Sequence, residues 1–399
     1  MFEEISNALK RINTPFYIYD TRVIYEKIKT LRESFSGSVE LFFAVKANSS
    51  IAILRFLNKH NIGAEVVSPG EIFIALKAGI PSYKILYDSL ARKEEEILFA
   101  IRKGIRFFNF ESIGQAKLLE KCAKKTKQKL FVFARINPGI FPKTHSHLST
   151  GSSWSKFGIP IKDINKIVEV VKDFEHIELL GLHCHIGSQI LTPEPYLKSL
   201  KKIENSIKIL NKEGLAIKYV NLGGGFGVPY KEGEKTFSPI SLTEKYKEFS
   251  KKYGIKIFLE LGRFFVAEAG FIITSIIDVK EREGKPLYVV DSGMNDNPRP
   301  AIYDAYHHIE PLFKKEGKRY LSRVVGPICE NSDEFGTYSL PKLKEGDLLI
   351  IYNCGAYTRT MASNYNGRPF PPEYLYNGKK LKKIRKGQRL RELIKNERF

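Results

Sequence analysis

Residues 41–79 read LFFAVKANSSIAILRFLNKHNIGAEVVSPGEIFIALKAG, and their pattern decides the fold. Leu41–Val45 is an apolar, aromatic and β-branched run of strand length, and Ile51–Lys59 repeats apolar residues at helical spacing. Ala64–Ser68 is a second strand and Glu71–Ala78 a second helix. Further along the chain the alternation continues through Tyr83–Ser89, Arg106–Phe110, Leu130–Ile136, Leu179–Gly187, Ile217–Gly224 and Lys256–Gly262. Helix-like segments such as Lys93–Lys103 and Pro193–Lys212 lie between these strands. Eight strands and seven intervening helices over about 220 residues predict an α/β fold, a closed (β/α)8 TIM-type barrel rather than an open doubly wound sheet.

Past about Gly270 the pattern changes. Phe271–Lys280, Pro286–Asp291, Arg323–Ile328 and Asp347–Asn353 read as strands with no long helix between most of them, which predicts a second, β-rich domain. Before the barrel stand one strand candidate, Phe16–Tyr19, and an amphipathic helix over Thr21–Phe35. By position that strand suits either unit. The expected organisation is therefore residues 1–35, a barrel over 36–270 and a β domain over 271–399, with a basic tail from Lys379 that turns helical near its end.

The 399 residues include 43% hydrophobic and 12% aromatic side chains, enough to pack a large core and too apolar for a disordered chain. No window approaches a membrane-spanning length of apolar residues, and Met1–Lys10 lacks the charged, apolar and cleavable order of a secretion signal, so a cytoplasmic location is expected. Cys122, Cys184, Cys329 and Cys354 lie far apart with no CxxC pair, which argues against both a disulfide framework and a four-cysteine zinc site. A formal net charge of +21 raises the question of nucleic acid, but the lysines are scattered over helix faces with runs only at Lys124–Lys129 and Lys379–Arg389. Small acidic molecules are the better-matched partners; neither nucleic acid nor membrane is expected.

In a (β/α)8 barrel, chemistry gathers at the carboxyl ends of the strands. Strand 1 ends in Ala44-Val45-Lys46, and a lysine after a buried run is expected to be partly desolvated, a neutral amine nucleophile toward an aldehyde. Strand 7 ends in Gly223-Gly224-Gly225, where the absence of side chains lets backbone N–H groups converge on a phosphate. Strand 8 ends in Glu260-Leu261-Gly262-Arg263, a carboxylate able to face a protonated ring nitrogen beside an arginine able to hold an anion. Strand 6 ends in His183-Cys184-His185, with both imidazoles on one side by alternation. No nearby carboxylate or third imidazole in the sequence completes a metal set, so no metal is expected and a ring stacked on a planar cofactor is the better reading. An amine, a phosphate cradle, a ring-nitrogen partner and a stacking group together meet the needs of pyridoxal 5'-phosphate.

The segments AVKAN (Ala44–Asn48), THSHLSTG (Thr144–Gly151), KFGI (Lys156–Ile159), GLHCHIGSQ (Gly181–Gln189), NLGGGFG (Asn221–Gly227), ELGR (Glu260–Arg263), DSGMNDNPRPAIYDAYH (Asp291–His307), CENSD (Cys329–Asp333) and GAY with MASNYN (Gly355–Asn366) closely resemble the diaminopimelate decarboxylases. These are fold-type III pyridoxal phosphate enzymes, similar to ornithine and arginine decarboxylases. The matching motifs run in family order from about Thr14 to Pro371. The resemblance implies that the N-terminal strand joins the C-terminal β domain, and that two copies form a homodimer with shared active sites.

Carried over motif by motif, it makes Lys46 the Schiff-base lysine and His185 the stacked imidazole. Ser188, Gly223, Gly224, Gly225, Gly262 and Arg263 would hold the phosphate, Glu260 the ring nitrogen, and Tyr357 would reach both cofactor and substrate. Arg263, Arg299 and Tyr303 would bind substrate carboxylate. From the partner subunit, Glu330 would recognise the distal amino group and Cys329 would protonate the carbon left by carbon dioxide. The implied reaction is conversion of meso-2,6-diaminopimelate to L-lysine, the last step of lysine biosynthesis.

Three departures stand out: Leu261 replaces a usual Pro, Glu65 stands where relatives often carry Asp, and Ser152–Ser155 differs from the usual sequence before KFGI. The competing readings are decarboxylation of another diamino acid (D-lysine, D-ornithine or a carboxylated polyamine) and a non-catalytic binding protein on the same fold. A bare distal amine has no need of Arg299, and a binding protein has no need of Lys46, Glu260 and Cys329.

Overall fold

Eight parallel strands close the barrel: β1 (Val39–Ala44), β2 (Gly63–Val66), β3 (Ile85–Tyr87), β4 (Phe107–Phe110), β5 (Leu130–Asn137), β6 (Ile177–His183), β7 (Tyr219–Asn221) and β8 (Lys256–Leu261). Around the ring the order is β4-β3-β2-β1-β8-β7-β6-β5, and the β4–β5 pairing shuts it. The computed structural model describes residues 2, 4–35, 37–140 and 155–398. Its two units are Lys27–Val228 with Lys235–Phe264, which holds the barrel, and Met1–Glu26 with Pro229–Glu234 and Phe265–Phe399.

Apolar strands and capped helices explain the barrel locally. Ser68 caps the helix Pro69–Lys77 by accepting the Glu71 N–H, with Pro69 in the first turn where a missing N–H does no harm. Ser112 accepts the Gln115 N–H in the same way at the helix Ile113–Thr126. Rings fill the barrel's interior: Phe258 lies 4.9 Å from Phe42, 5.0 Å from Tyr219 and 5.6 Å from Phe133, centroid to centroid. With Leu86 these residues form an apolar plug. The polar groups accordingly collect at the carboxyl ends of the strands.

In the second unit the strands are β9 (Gly270–Arg282), β10 (Lys285–Val290), β11 (Ile309–Pro311), β12 (Arg319–Val325), β13 (Glu334–Pro341), β14 (Leu348–Ile351), β15 (Glu373–Tyr376) and β16 (Leu381–Arg385). The N-terminal strand Phe16–Asp20 lies between β9 and β15, antiparallel to the first and parallel to the second. All five of its residues are buried, and Phe16 and Ile18 pack with Phe271, Ile273, Ile350 and Tyr374. A strand buried on both faces has no place in a barrel already closed, so sheet membership settles the position the sequence left open.

Two expectations need correction. Strand 6 was expected to reach Gly187 and strand 7 to reach Gly224, whereas they stop at His183 and Asn221. The turn at Gly223, with φ of +63°, takes the chain out of the ladder. The tail from Lys379 contains β16 as well as the short helix Leu390–Leu393. Leu381-Lys382-Lys383-Ile384-Arg385 hides its strand character under the lysines typical of a sheet edge, and it pairs only with β15.

Candidate active site

Each barrel strand delivers a polar side chain at or near its carboxyl end. They are Lys46 past β1, Glu65 in β2, Asp88 past β3, Asn109 in β4, Arg135 in β5, His183 ending β6, Asn221 ending β7 and Glu260 in β8. Lys46 and Glu260 were expected from the sequence to contribute to the chemistry, whereas His183 was weighed only as a metal ligand or stacking ring and Glu65 was noted only as a departure. Asp88, Asn109, Arg135 and Asn221 were missed, although each is the first or second polar residue to interrupt its apolar strand.

Lys46 sits in the single turn Val45–Ala47 that follows β1. Its Nζ lies 2.8 and 2.9 Å from the two carboxylate oxygens of Glu65, which is wholly buried. The expected desolvated amine is thus corrected: the Lys46 side chain is 40% exposed and has its own carboxylate. Burial, reinforced by the charges of Glu260 and Asp88, pushes Glu65 up to about 8 against the pull of Lys46. The Glu65 carboxylate is thus the group in direct contact with the Lys46 amine and the nearest acceptor for its proton.

Glu260 is held by the Asn221 side-chain amide, which donates to Oε1 at 2.6 Å, and His183 Nε2 stands 3.4 Å from Oε2. Asn109 Nδ2 lies 2.9 Å from His183 Nδ1. With the amide donating there, the ring proton falls on Nε2, facing the Glu260 carboxylate. Across the ring of strands, Arg135 bonds Glu111 and lies 3.4 Å from Asp88. Burial opposes the Asp88 charge, yet Arg135, with His183, Lys46 and Arg92, draws its carboxyl down to about 2.

The sequence-based expectation that His183 has no carboxylate neighbours is corrected here. Barrel closure brings Asp88, His183 and Glu260 within 4.8 Å of one another through their ligand-type atoms. Arg135 and the Asn221 amide already answer these two carboxylates, so the group forms a buried polar network.

Because β6 ends at His183, strand alternation does not govern His185; the loop places it instead. Its Nδ1 accepts the Gly224 N–H at 3.1 Å. A Cβ on Gly223 would stand 2.6 Å from that Nδ1, and on Gly224 or Gly225 it would stand 2.1 Å from the carbonyl oxygen of Glu260 or Gly187. Only bare backbone fits, and the three glycines lie against the ends of β6 and β8. Gly262 and Arg263 occupy the turn after β8, where the buried Arg263 donates to Ser188 Oγ at 3.2 Å. The structure therefore brings His185, Ser188, Gly223–Gly225, Glu260, Gly262 and Arg263 together with Lys46 at one end of the barrel.

The remaining expected residues belong to the second unit. Arg299 and Tyr303 begin and end the helix Arg299–Tyr303, with Arg299 buried. Tyr357 takes a φ of +57°, uncommon for a side chain of its size, two residues after Gly355. Cys329 and Glu330 are exposed on the loop between β12 and β13. That loop is pinned from both sides. Asp333 accepts the N–H groups of Met294 at 2.6 Å and Ile328 at 2.7 Å, Asn366 accepts that of Cys329 at 2.9 Å, and Tyr365 donates to Glu330 at 2.5 Å. Asp333, Tyr365 and Asn366 lie within the segments quoted for the resemblance, but no role was assigned to them from sequence.

Comparison with known proteins supplies the family. The family described as pyridoxal-dependent decarboxylase, pyridoxal binding domain, matches residues 21–267. A diaminopimelate decarboxylase of Aquifex aeolicus is 37% identical over 383 residues, 96% of this chain and 91% of that one. The chain belongs to the diaminopimelate decarboxylases. The crystal structure of the family member from Helicobacter pylori, complexed with L-lysine, superposes with a TM-score of 0.94 at 36% identity and covers 98% of both chains. The Methanocaldococcus jannaschii diaminopimelate decarboxylase gives 0.92 at 34% identity, covering 100% of this chain and 94% of its own.

The donor set fits the cofactor of this decarboxylase family. Three consecutive glycines packed against protein atoms keep bare backbone N–H groups beside Ser188 and Arg263, the donor chemistry a phosphate needs; Glu260 offers a buried carboxylate for a ring nitrogen, and Lys46 offers the amine. Among the departures from the diaminopimelate decarboxylase pattern, Glu65 makes both contacts to Lys46 described above, and Leu261 is a fully buried strand residue. The segments Thr144–Gly151 and Ser152–Trp154 lie outside the described residues.

His185 gives this decarboxylase a pH signature. Burial, with Arg135 and Lys46 nearby, pushes its imidazole well below the ordinary 6.5. Below that value the unfolded chain takes up a proton that the folded chain refuses, so stability falls as the pH drops. In urea unfolding of the cofactor-free protein, the midpoint should fall between pH 7.5 and 5.5 by more in wild type than in His185→Gln. Equal falls would contradict a buried neutral imidazole.

Proposed function

We propose that this protein decarboxylates meso-2,6-diaminopimelate at its D-centre, giving L-lysine and carbon dioxide, the last step of lysine biosynthesis. The observation that carries the reading is near-full-length similarity to diaminopimelate decarboxylases, one of them solved with L-lysine, in a chain that places Lys46, Glu65 and Glu260 together at the barrel's carboxyl end.

When bound, pyridoxal phosphate supplies an acceptor for the electron pair released as the carboxylate leaves. The chain's residues do the rest. Lys46 would hold the cofactor through its amine, and Glu65, in contact with that amine, is the nearest acceptor for the proton it must shed. Glu260, fixed by Asn221, would favour a protonated ring nitrogen. His185, held neutral by burial, would face the ring, and Ser188, Gly223, Gly224, Gly225, Gly262 and Arg263 would hold the phosphate. Tyr357 reaches cofactor and substrate.

At the substrate, Arg263, Arg299 and Tyr303 bind carboxylate, and Glu330 takes the distal ammonium; a zwitterionic distal end calls for both an arginine and a carboxylate. The Cα–carboxylate bond breaks, carbon dioxide departs, and Cys329 Sγ delivers its proton to the carbon left behind. The thiolate then recovers a proton from solvent.

The working form is a homodimer in the cytoplasm. A proton donor to a carbanion works best shielded from water, yet Cys329 and Glu330 are exposed on this chain, and a second copy seated over them would supply the cover. Among the described residues no helix is long and apolar enough to cross a membrane.

The test is carbon dioxide release by the cofactor-loaded protein from meso-diaminopimelate, D-lysine, D-ornithine, L-ornithine and carboxynorspermidine. Diaminopimelate should be preferred by roughly 100-fold or more, the discrimination available when buried charged groups are left unpaired by the wrong substrate. Equal or better turnover of another member would overturn the substrate assignment while leaving the decarboxylase chemistry in place.

A further inference from the structure

We infer that His307 is a positioning residue for Arg299 and, through it, sets selectivity for the distal carboxylate of the substrate; the inference rests on the assignment of Arg299 to that carboxylate. His307 is wholly buried, four residues past the helix that Arg299 begins. Its Nδ1 lies 2.8 Å from the Tyr352 carbonyl oxygen, which can only accept, so Nδ1 carries the proton. Nε2 then presents a lone pair, and it lies 2.8 Å from Arg299 Nη1, which can only donate. One species satisfies both contacts: the neutral imidazole protonated at Nδ1. An imidazolium would set a second N–H against the guanidinium.

The neighbours hold this arrangement. The Arg299 guanidinium stands 4.6 Å from the centroid of the Tyr230 ring, and that ring meets the His307 ring edge-on at 5.4 Å. The Tyr338 hydroxyl donates to the His307 carbonyl at 2.8 Å, which fixes the backbone. Cys354 Sγ lies 3.6 Å from Nδ1, and burial pushes that thiol up, so it faces the imidazole uncharged.

The identity of the holder matters chemically. An aspartate or glutamate in this place would neutralise Arg299 and compete with a substrate carboxylate. Imidazole and phenol orient the guanidinium plane without spending its charge, and the bond to His307 uses only one of five N–H donors. His307 with Tyr230 thus aims the guanidinium through contacts that do not themselves neutralise it.

Two variants separate the contacts. His307→Asn keeps an N–H for the Tyr352 carbonyl but removes the acceptor that faces Arg299, whereas His307→Gln puts an amide oxygen where Nε2 stood. In the cofactor-loaded enzyme, His307→Asn should raise KM for meso-diaminopimelate roughly 10- to 100-fold with kcat within about three-fold of wild type, and weaken calorimetric binding of L-lysine in parallel. His307→Gln should recover most of both losses. An unchanged KM in His307→Asn overturns the inference, as does a Gln variant no better than the Asn variant. Arg299→Gln serves as the control. If it too leaves KM unchanged, the assignment of Arg299 falls and the inference with it; if it raises KM strongly while His307→Asn does not, the inference alone falls.

Discussion

Lys46→Ala abolishes the visible absorbance of the cofactor bound through lysine and lowers kcat by at least about 10³-fold, the scale expected when a covalent nucleophile is removed. The size of the loss follows from the geometry. Lys46 and Glu65 form a matched pair at 2.8 and 2.9 Å, so losing the amine also strands a buried carboxylate beside Glu260 and Asp88. The variant should therefore also bind pyridoxal phosphate more weakly, as followed by fluorescence titration. A Lys46→Ala protein with the wild-type spectrum would overturn the assignment of the amine.

Cys329→Ala keeps the cofactor spectrum and lowers kcat by about 10²- to 10⁴-fold, the range typical of a positioned proton donor. Its folded stability should be close to wild type, because Cys329 is exposed and its backbone, rather than its thiol, makes the bond to Asn366. The same variant tests the dimer. Lys46→Ala and Cys329→Ala subunits mixed in equal amounts and allowed to exchange should regain about a quarter of wild-type sites, since half the dimers are mixed and each of those has one intact site. No recovery after proven exchange would contradict shared sites.

The parts of this site that were legible in the sequence are those with a local pattern. The apolar run before Lys46, the glycine run at Gly223–Gly225 and the pair Glu260 and Arg263 each carry their chemistry in a few adjacent residues, and the strand–helix alternation placed all three at strand ends. Asp88, Asn109, Arg135 and Asn221 were not legible, because a single polar residue at the end of an apolar run looks like a strand boundary. Only the closing of β4 on β5 makes a ring of them. The same closure corrected the reading of His183, which gains its carboxylate neighbours from β3 and β8 rather than from its own segment.

Other features depended on tertiary context. The N-terminal strand read correctly as a strand, but its partners, β9 and β15, lie more than 250 residues away in the chain, beyond any local pattern. The edge strand Leu381–Arg385 was missed because its lysines, which suit an edge, mask its alternation. Lys46 was expected to be desolvated, whereas its side chain is 40% exposed and its amine is paired with Glu65, a residue noted in the sequence only for its extra methylene.

The most direct measurement of the central claim follows one carbon. Purified, cofactor-loaded protein is given meso-diaminopimelate labelled with carbon-13 in the carboxyl of its D-centre, and gas and amino acid are analysed together. Label in the carbon dioxide and an equal amount of unlabelled L-lysine is the predicted result; label retained in the amino acid, or no carbon dioxide at all from a protein shown to hold its cofactor, would contradict it.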